Sequence, residues 1–145
     1  MTPLDTMRRR FLAVLHFVIG ISAILGGGAL VIWANGRMLN LPVTVLSRSG
    51  FTDFLLPGVF LYGAVGVHNL IACFLVATNE PGAERISLSA GVALLVWIAA
   101  EAALVDISHG LQLVYGGLAV LVLIDAIWIR RSTLATGNLT HVAGH

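Results

Sequence analysis

Long apolar runs alternate with short polar segments along the chain. Four of these runs reach about 20 mostly apolar residues, the length that a helix needs to cross the hydrocarbon core of a bilayer. They are Phe11–Trp33, Phe54–Ala77, Ile86–Val105 and His109–Ile129. The pattern therefore predicts an all-α membrane protein, with four transmembrane helices in one membrane domain that occupies residues 1–145.

The polar segments between the runs predict how the helices are connected. Only residues 106–108 separate the last two runs, which favours a tight antiparallel hairpin. The sequence Asn79-Glu80-Pro81-Gly82 is typical of a turn. The first connection, residues 34–53, is longer and apolar enough to lie in the membrane interface, and residues 132–145 form a short polar tail. We expect an up-down-up-down four-helix bundle.

Composition supports a place in the bilayer. The 145 residues are 58% hydrophobic and 10% charged, whereas a soluble domain carries about 25% charged residues. Disordered chains are polar and highly charged, so the same figures exclude that class. The formal net charge of +1 gives no reason to expect a nucleic-acid partner. A single cysteine excludes an intrachain disulfide and a cysteine-rich metal site.

The distribution of arginine predicts the orientation. Six arginines lie on one side of the predicted membrane and two on the other, and the side with more arginine is normally cytoplasmic. The first group is Arg8, Arg9, Arg10, Arg85, Arg130 and Arg131, and the second is Arg37 and Arg48. We therefore expect both termini in the cytoplasm.

Small residues predict where the helices meet, because helix contacts in lipid concentrate on small side chains. Three such places are predicted. They are a face with His16, Gly20, Ala23 and Gly27 on the first helix, a face with Gly58, Tyr62, Gly66, Asn69 and Cys73 on the second, and Gly116-Gly117 on the fourth. Gly26-Gly27-Gly28 is also a candidate flexible point.

Polar side chains at membrane depth are the candidate sites, because an ionisable group in hydrocarbon costs at least a few kcal/mol. At about 1.5 Å of rise per residue, the cytoplasmic half holds His16, His68, Asn69 and Asp125. Glu101 lies in the outer half. The simplest interpretation is satisfied polar packing, with Asp125 reaching water or an arginine.

Aromatic residues accompany the outer acid. Trp97 lies one helical turn from Glu101, and Tyr62 and Tyr115 lie in the same outer half, where their hydroxyls are candidate donors to its carboxyl. Intramembrane acid–base catalysis on a lipid-like substrate, centred on Glu101, is one functional hypothesis. However, the sequence offers no nucleophile, metal motif or phosphate-binding loop beside it, and no residue is assigned as catalytic.

Two further hypotheses use the histidines. In the first, Glu101 outside and Asp125 with His16 inside are the ends of a proton or solute pathway, which in so short a chain requires a homodimer or larger assembly. In the second, His16 and His68 are axial ligands of a b-type haem between adjacent helices. No other metal is expected, because the possible ligands lie on separate helices without metal-type spacing.

Three segments resemble a pattern in small uncharacterised four-span bacterial integral membrane proteins. They are Phe51–Gly58, Trp97–Glu101 and Leu111–Gly116. The resemblance implies four-span topology and a bacterial plasma membrane, and it implies no catalytic residue. The small-residue faces and the absence of a catalytic motif instead favour a lipid-embedded protein that works through helix packing, as an accessory or structural subunit of a membrane complex or as a self-associating bundle. The alternative is a small oligomeric transporter or channel.

Overall fold

The chain folds into helices joined by short connections. A computed structural model describes residues 3–104 and 109–142, with side chains described for residues 4–103, 113–128 and 130–131. The α-helices are α1 (Pro3–Ile32), α2 (Leu55–Phe60), α3 (His68–Ala77), α4 (Ala83–Leu104) and α5 (His109–Val142). A π-helical segment, Leu61–Val67, joins α2 to α3, and we call the unbroken stretch from Leu55 to Ala77 the composite helix.

Apolar helices dominate the described part of the chain, and no strand occurs in it. Three helical stretches are long and apolar enough to cross a membrane, and Leu113–Trp128 in α5 is a shorter apolar stretch. The long stretches are Leu4–Ile32, Leu55–Ala77 and Ala83–Ala103. The all-α prediction is confirmed, and the helices are compatible with a membrane protein.

Two predicted segments fall partly or wholly outside the described residues. The hairpin residues 106–108 are among those not described, as are the last residues of the tail, 143–145. Helix α5 continues from the predicted fourth run as far as Val142, so the rest of the tail is helical.

Contacts between neighbouring helices show that they run in opposite directions. Residues near the start of one helix contact residues near the end of the next. These pairs are Gly20 with Leu70 and Gly27 with Tyr62, Phe60 with Trp97 and His68 with Ser89, and Gly91 with Leu123 and Gly116 with Ile98. Helix α5 also packs against α1, and both contribute to one apolar core.

The closest approach joins α1 to the composite helix. A Cβ atom added at Gly27 would lie 2.5 Å from the Tyr62 backbone nitrogen and 2.8 Å from the Gly58 carbonyl oxygen. The predicted small-residue face of α1 is confirmed, because His16, Gly20, Ala23 and Gly27 are all buried. Helix α1 runs through Gly26-Gly27-Gly28 without a break, and of the three only Gly27 lies tightly against the composite helix.

The predicted face of the composite helix is only partly present. Gly58, Gly66 and Asn69 are buried, but Cys73 is half-buried and Tyr62 is 42% exposed. The π-helical segment explains the difference, because its i→i+5 hydrogen bonds change the angular spacing that an α-helix would give.

The predicted contact at Gly116-Gly117 is only partly present, because Gly116 contacts Ile98 while Gly117 has no close neighbour among the described residues. No described atom lies within 4 Å of a Cβ added at Gly117, and at Gly116 the nearest is at ordinary van der Waals distance. Helices α4 and α5 instead come close at Gly91, where an added Cβ would lie 2.9 Å from Leu123 Cδ2.

The long connection folds back onto the helices. Its ends are joined by a 2.8 Å hydrogen bond from the Phe54 N–H to the Ala34 carbonyl. It contains two short 3-10 helices, Arg37–Leu39 and Val43–Leu46, where the sequence predicted no regular structure. Its Leu46 is buried beside Leu30 and Phe54. We call this end of the molecule the loop end.

The opposite end carries the predicted turn, which is confirmed. Asn79 and Gly82 have positive φ angles of 59° and 86°, and the Glu80 N–H donates to the Leu75 carbonyl at 3.0 Å. Both residue types tolerate the left-handed region, which explains why this sequence reverses the chain here. We call this end the turn end.

The glycine crossing predicts a stability difference between adjacent positions. Gly27→Ala forces a methyl group against the backbone of the composite helix, so we expect unfolding free energy to fall by about 1–3 kcal/mol. Gly26→Ala is the matched control, because its added Cβ meets only Leu61 Cδ2 at 3.7 Å. Reversible unfolding in detergent measures both variants. Equal stability of the two would contradict the close crossing.

Candidate functional site

A buried histidine lies where α1, α3 and α4 meet. His16 is fully buried, and each of its ring nitrogens contacts a side chain from a different helix. Nδ1 lies 2.7 Å from Asn69 Oδ1, and Nε2 lies 3.0 Å from Ser87 Oγ. Asn69 and Ser87 are also fully buried. We call His16, Asn69 and Ser87 the polar triad.

The hydrogen bonds of the triad identify which of its groups are donors and which are acceptors. The Asn69 amide nitrogen donates to the Val65 carbonyl at 2.8 Å, which leaves its oxygen to face His16. An amide oxygen only accepts, so His16 Nδ1 carries a proton and donates it. In a neutral ring with its proton on Nδ1, Nε2 accepts from the Ser87 hydroxyl. Among the described residues, no buried side-chain nitrogen or oxygen lacks a partner.

The second histidine forms a separate contact between α3 and α4. His68 is half-buried, and its Nε2 lies 2.9 Å from Ser89 Oγ. The Ser89 hydroxyl donates to the Ile86 carbonyl at 2.9 Å, so its one proton is already used. His68 Nε2 is therefore the donor in this pair.

Asp125 lies apart from the triad, near the turn end of α1 and α5. It is half-buried, and the charge of Arg8 acts on its carboxyl. The Arg8 guanidinium also lies over the Trp128 ring, 4.3 Å from the ring centroid. Cation–π contacts of this kind favour a fixed position for the arginine. An N-terminal arginine thus lies near Asp125, as the sequence led us to expect.

Glu101 lines a cavity at the loop end. The cavity has a volume of about 570 Å³ and lies between the long connection, the composite helix and α4. Trp97 also lines it and stacks on Phe60, with ring centroids 5.6 Å apart and an interplanar angle of 19°. The described lining residues are Leu30, Leu41, Leu46, Ser49, Phe51, Phe54, Leu56, Pro57, Val59, Phe60, Val96, Trp97, Ala100 and Glu101.

The predicted aromatic neighbours of Glu101 behave differently from one another. Trp97 shares its cavity. The Tyr62 ring lies beside Gly28 of α1, and Tyr115 packs against the apolar core. Within the described part of the chain, no hydrogen bond reaches the Glu101 carboxyl, so neither tyrosine donates to it.

An apolar layer separates Glu101 from the polar triad. Glu101 and Ser87 are 14 positions apart on α4, which corresponds to about 21 Å along the helix axis. Ile19, Val65 and Leu94 are almost completely buried between these levels. The triad and the cavity are therefore two separate sites.

The donor set around the histidines does not suit haem. Axial ligation requires a free ring nitrogen from each ligand. Both ring nitrogens of His16 already take part in hydrogen bonds, and the His68 Nε2 is directed at Ser89. Within the described residues that were searched, no three His, Cys, Asp or Glu side chains are grouped as metal ligands. No reaction that uses haem or a metal ion is therefore proposed at these residues.

The sequence analysis missed the two serines. Ser87 completes the triad and Ser89 binds His68, yet serine is neither ionisable nor conspicuous in an apolar run. Antiparallel pairing about the turn at residues 79–82 places Ala93 opposite His68, about one helical turn from Ser89, so the turn alone gives only an approximate indication.

Comparison with family models, curated proteins and solved structures finds no match to this chain. The function must therefore be inferred from the geometry of the two sites.

The triad predicts non-additive mutational effects. Asn69→Leu leaves the buried Nδ1–H of His16 without an acceptor, so we expect a loss of about 1–2 kcal/mol of unfolding free energy. His16→Leu should cost a similar amount, because it strands Asn69 and Ser87. The double variant should cost clearly less than the sum, because both ends of one hydrogen bond are removed together.

Reversible unfolding in detergent gives the three free energies. His68→Leu is the control, because its half-buried ring contacts only Ser89 in the described hydrogen-bond network. Strict additivity of His16→Leu and Asn69→Leu would show that the two side chains do not interact.

Proposed function

We propose that this chain is an up-down-up-down four-helix bundle in a bacterial plasma membrane, with both termini in the cytoplasm. The three long apolar helices, the apolar stretch in α5 and the antiparallel contacts support this topology. The excess of arginine at the turn end supports the orientation. The resemblance to small four-span bacterial proteins supports the compartment.

Cysteine labelling tests the orientation. In a Cys73→Ser background, we expect Ser47→Cys in the long connection to react with a membrane-impermeant maleimide added to intact cells. Glu80→Cys, in the turn at the opposite end, should react only after the cells are opened. Both positions are exposed, so burial does not bias the comparison. Labelling of Glu80→Cys from outside would reverse the assignment.

The chain works, in this proposal, through helix contacts rather than through chemistry. The observation that carries it is the polar triad, whose hydrogen-bonding atoms are all used within the chain. An intramembrane ionisable residue is a functional candidate by default. In this proposal the partners of His16 on α3 and α4 favour a structural role for it. An accessory or structural subunit of a membrane complex, or a self-associating bundle, fits this arrangement.

Large apolar surfaces support an assembly role. Leu25 and Ile32 of α1, Phe74 of α3 and Leu113 of α5 are each more than 60% exposed. In a bilayer such surfaces contact lipid or the helices of another chain.

A small oligomeric transporter or channel is the second candidate, and the cavity at Glu101 favours it. The apolar layer of Ile19, Val65 and Leu94 closes the route from Glu101 to the triad within one chain. A pathway would therefore run along a contact between copies, which makes an oligomer a requirement of this hypothesis.

Native mass spectrometry after extraction in mild detergent separates the candidates. An accessory subunit should carry the mass of other polypeptides, and a self-associating bundle a simple multiple of 15.3 kDa. In either case, Glu101→Gln and Asp125→Asn should leave the assembly nearly unchanged. A simple multiple together with pH-dependent flux into proteoliposomes, abolished by either substitution, would instead establish the transporter and contradict the packing role.

A further inference from the structure

The cavity at the loop end combines an apolar wall with an acidic residue. Among its described lining residues, Glu101 is the one acidic or basic side chain, and Ser49 is the other polar one. We propose that the cavity binds a hydrophobic organic cation, with the Glu101 carboxylate beside the cationic centre and the aromatic rings around the apolar body. This goes beyond the packing role proposed above and does not depend on it.

The size of the cavity suits a small molecule. Its volume of about 570 Å³ lies within the range of roughly 300–1,000 Å³ that ligand pockets occupy. Such pockets are mostly apolar, with a few polar groups that fix the orientation of the ligand. Twelve of its fourteen described lining residues are apolar, which fits a ligand with one charged or polar end and an apolar remainder.

The Glu101 carboxyl group determines which sign of charge the bound molecule must carry. An acid in an apolar environment is costly unless a partner compensates it. Within the described part of the chain, no lysine or arginine lines the cavity and no hydrogen bond reaches Glu101. A bound cation would supply the missing partner, whereas an anion would be repelled and a neutral apolar molecule would leave the carboxyl uncompensated.

The aromatic rings favour the same class of ligand. Phe60 and Trp97 form a stacked pair in the wall, and Phe51 and Phe54 line the other side. Aromatic faces attract cations, tryptophan most strongly, and organic ammonium groups are recognised in this way. Carboxylate and ring faces together therefore discriminate a cation from an anion of equal size.

The cavity is also reachable from the hydrocarbon side. Three of its lining residues on the composite helix and α4, Leu56, Val59 and Val96, are more than half exposed. In a bilayer these side chains face lipid, so a molecule already dissolved in the membrane can enter. Two kinds of molecule fit this description, a free hydrophobic amine and a lipid with an ammonium headgroup. Both have a cationic centre on an apolar body.

Binding of tetraphenylphosphonium to the whole protein in an uncharged detergent tests the proposal. Tetraphenylborate is the control ligand, because it has nearly the same size and shape and the opposite charge. Isothermal titration measures both affinities, and quenching of Trp97 fluorescence, assigned with Trp97→Phe, places the ligand in the cavity. We expect the phosphonium to bind at least tenfold more tightly than the borate.

Variants on α4 locate the charge effect. Glu101→Gln should weaken phosphonium binding at least tenfold without weakening borate binding, and Glu101→Asp should retain part of the affinity. Glu84→Gln, in the first turn of the same helix, is the matched control and should change neither. Equal affinity of the wild-type protein for the two ions, no phosphonium binding, or unchanged binding by a folded Glu101→Gln variant would overturn the proposal. If that variant does not fold, the comparison of the two ions on the wild-type protein decides.

Lipid nanodiscs distinguish the sources of the cation. If phosphatidylethanolamine competes with tetraphenylphosphonium while phosphatidylglycerol does not, the occupant is the lipid ammonium headgroup. If neither lipid competes, the site takes a free hydrophobic cation. Stronger competition by phosphatidylglycerol would show that the cavity prefers an anion, which contradicts the role of Glu101.

Discussion

The hydrogen bonds of one buried histidine constrain how three helices sit against each other. His16 has two ring nitrogens and no exposure, so each nitrogen must find a partner inside the protein. Asn69 of α3 and Ser87 of α4 supply them at 2.7 and 3.0 Å. Rotating or sliding any one of the three helices would break a hydrogen bond in a place without water. The triad therefore fixes their relative positions, which apolar packing in lipid does only weakly.

Packing at the glycines completes what the triad begins. The contact of Gly27 with Gly58 and Tyr62 brings α1 against the composite helix nearer the loop end, while the triad holds the same helices nearer the turn end. Two separate contacts along one helix pair resist tilting as well as rotation. The Glu101 cavity lies outside both. Its carboxyl has no structural partner in the described chain, and for that reason it is the better candidate for binding.

The depth of each residue, taken from the helical rise, and the helical periodicity predicted much of this arrangement. The predictions that failed did so for physical reasons. His16 and Asn69 were expected at similar depth because antiparallel helices of known rise bring those positions together. Tyr62 was misplaced because a π-helical segment changes the angular spacing. Gly117 was misplaced because a small residue permits a close crossing without causing one. Ser87 and the cavity depend on which side chains face each other across helices, which one sequence does not specify.

The protonation pattern of the His16 ring tests the structural role of the triad most directly. Nitrogen-15 NMR of histidine-labelled protein in detergent, with His16 assigned by comparison with His16→Gln, reports which ring nitrogen carries the proton. From the hydrogen bonds of the triad we expect a neutral ring with its proton on Nδ1, donated to Asn69, and an unprotonated Nε2 that accepts from Ser87. A ring protonated on Nε2 alone, or on both nitrogens at neutral pH, would contradict this expectation.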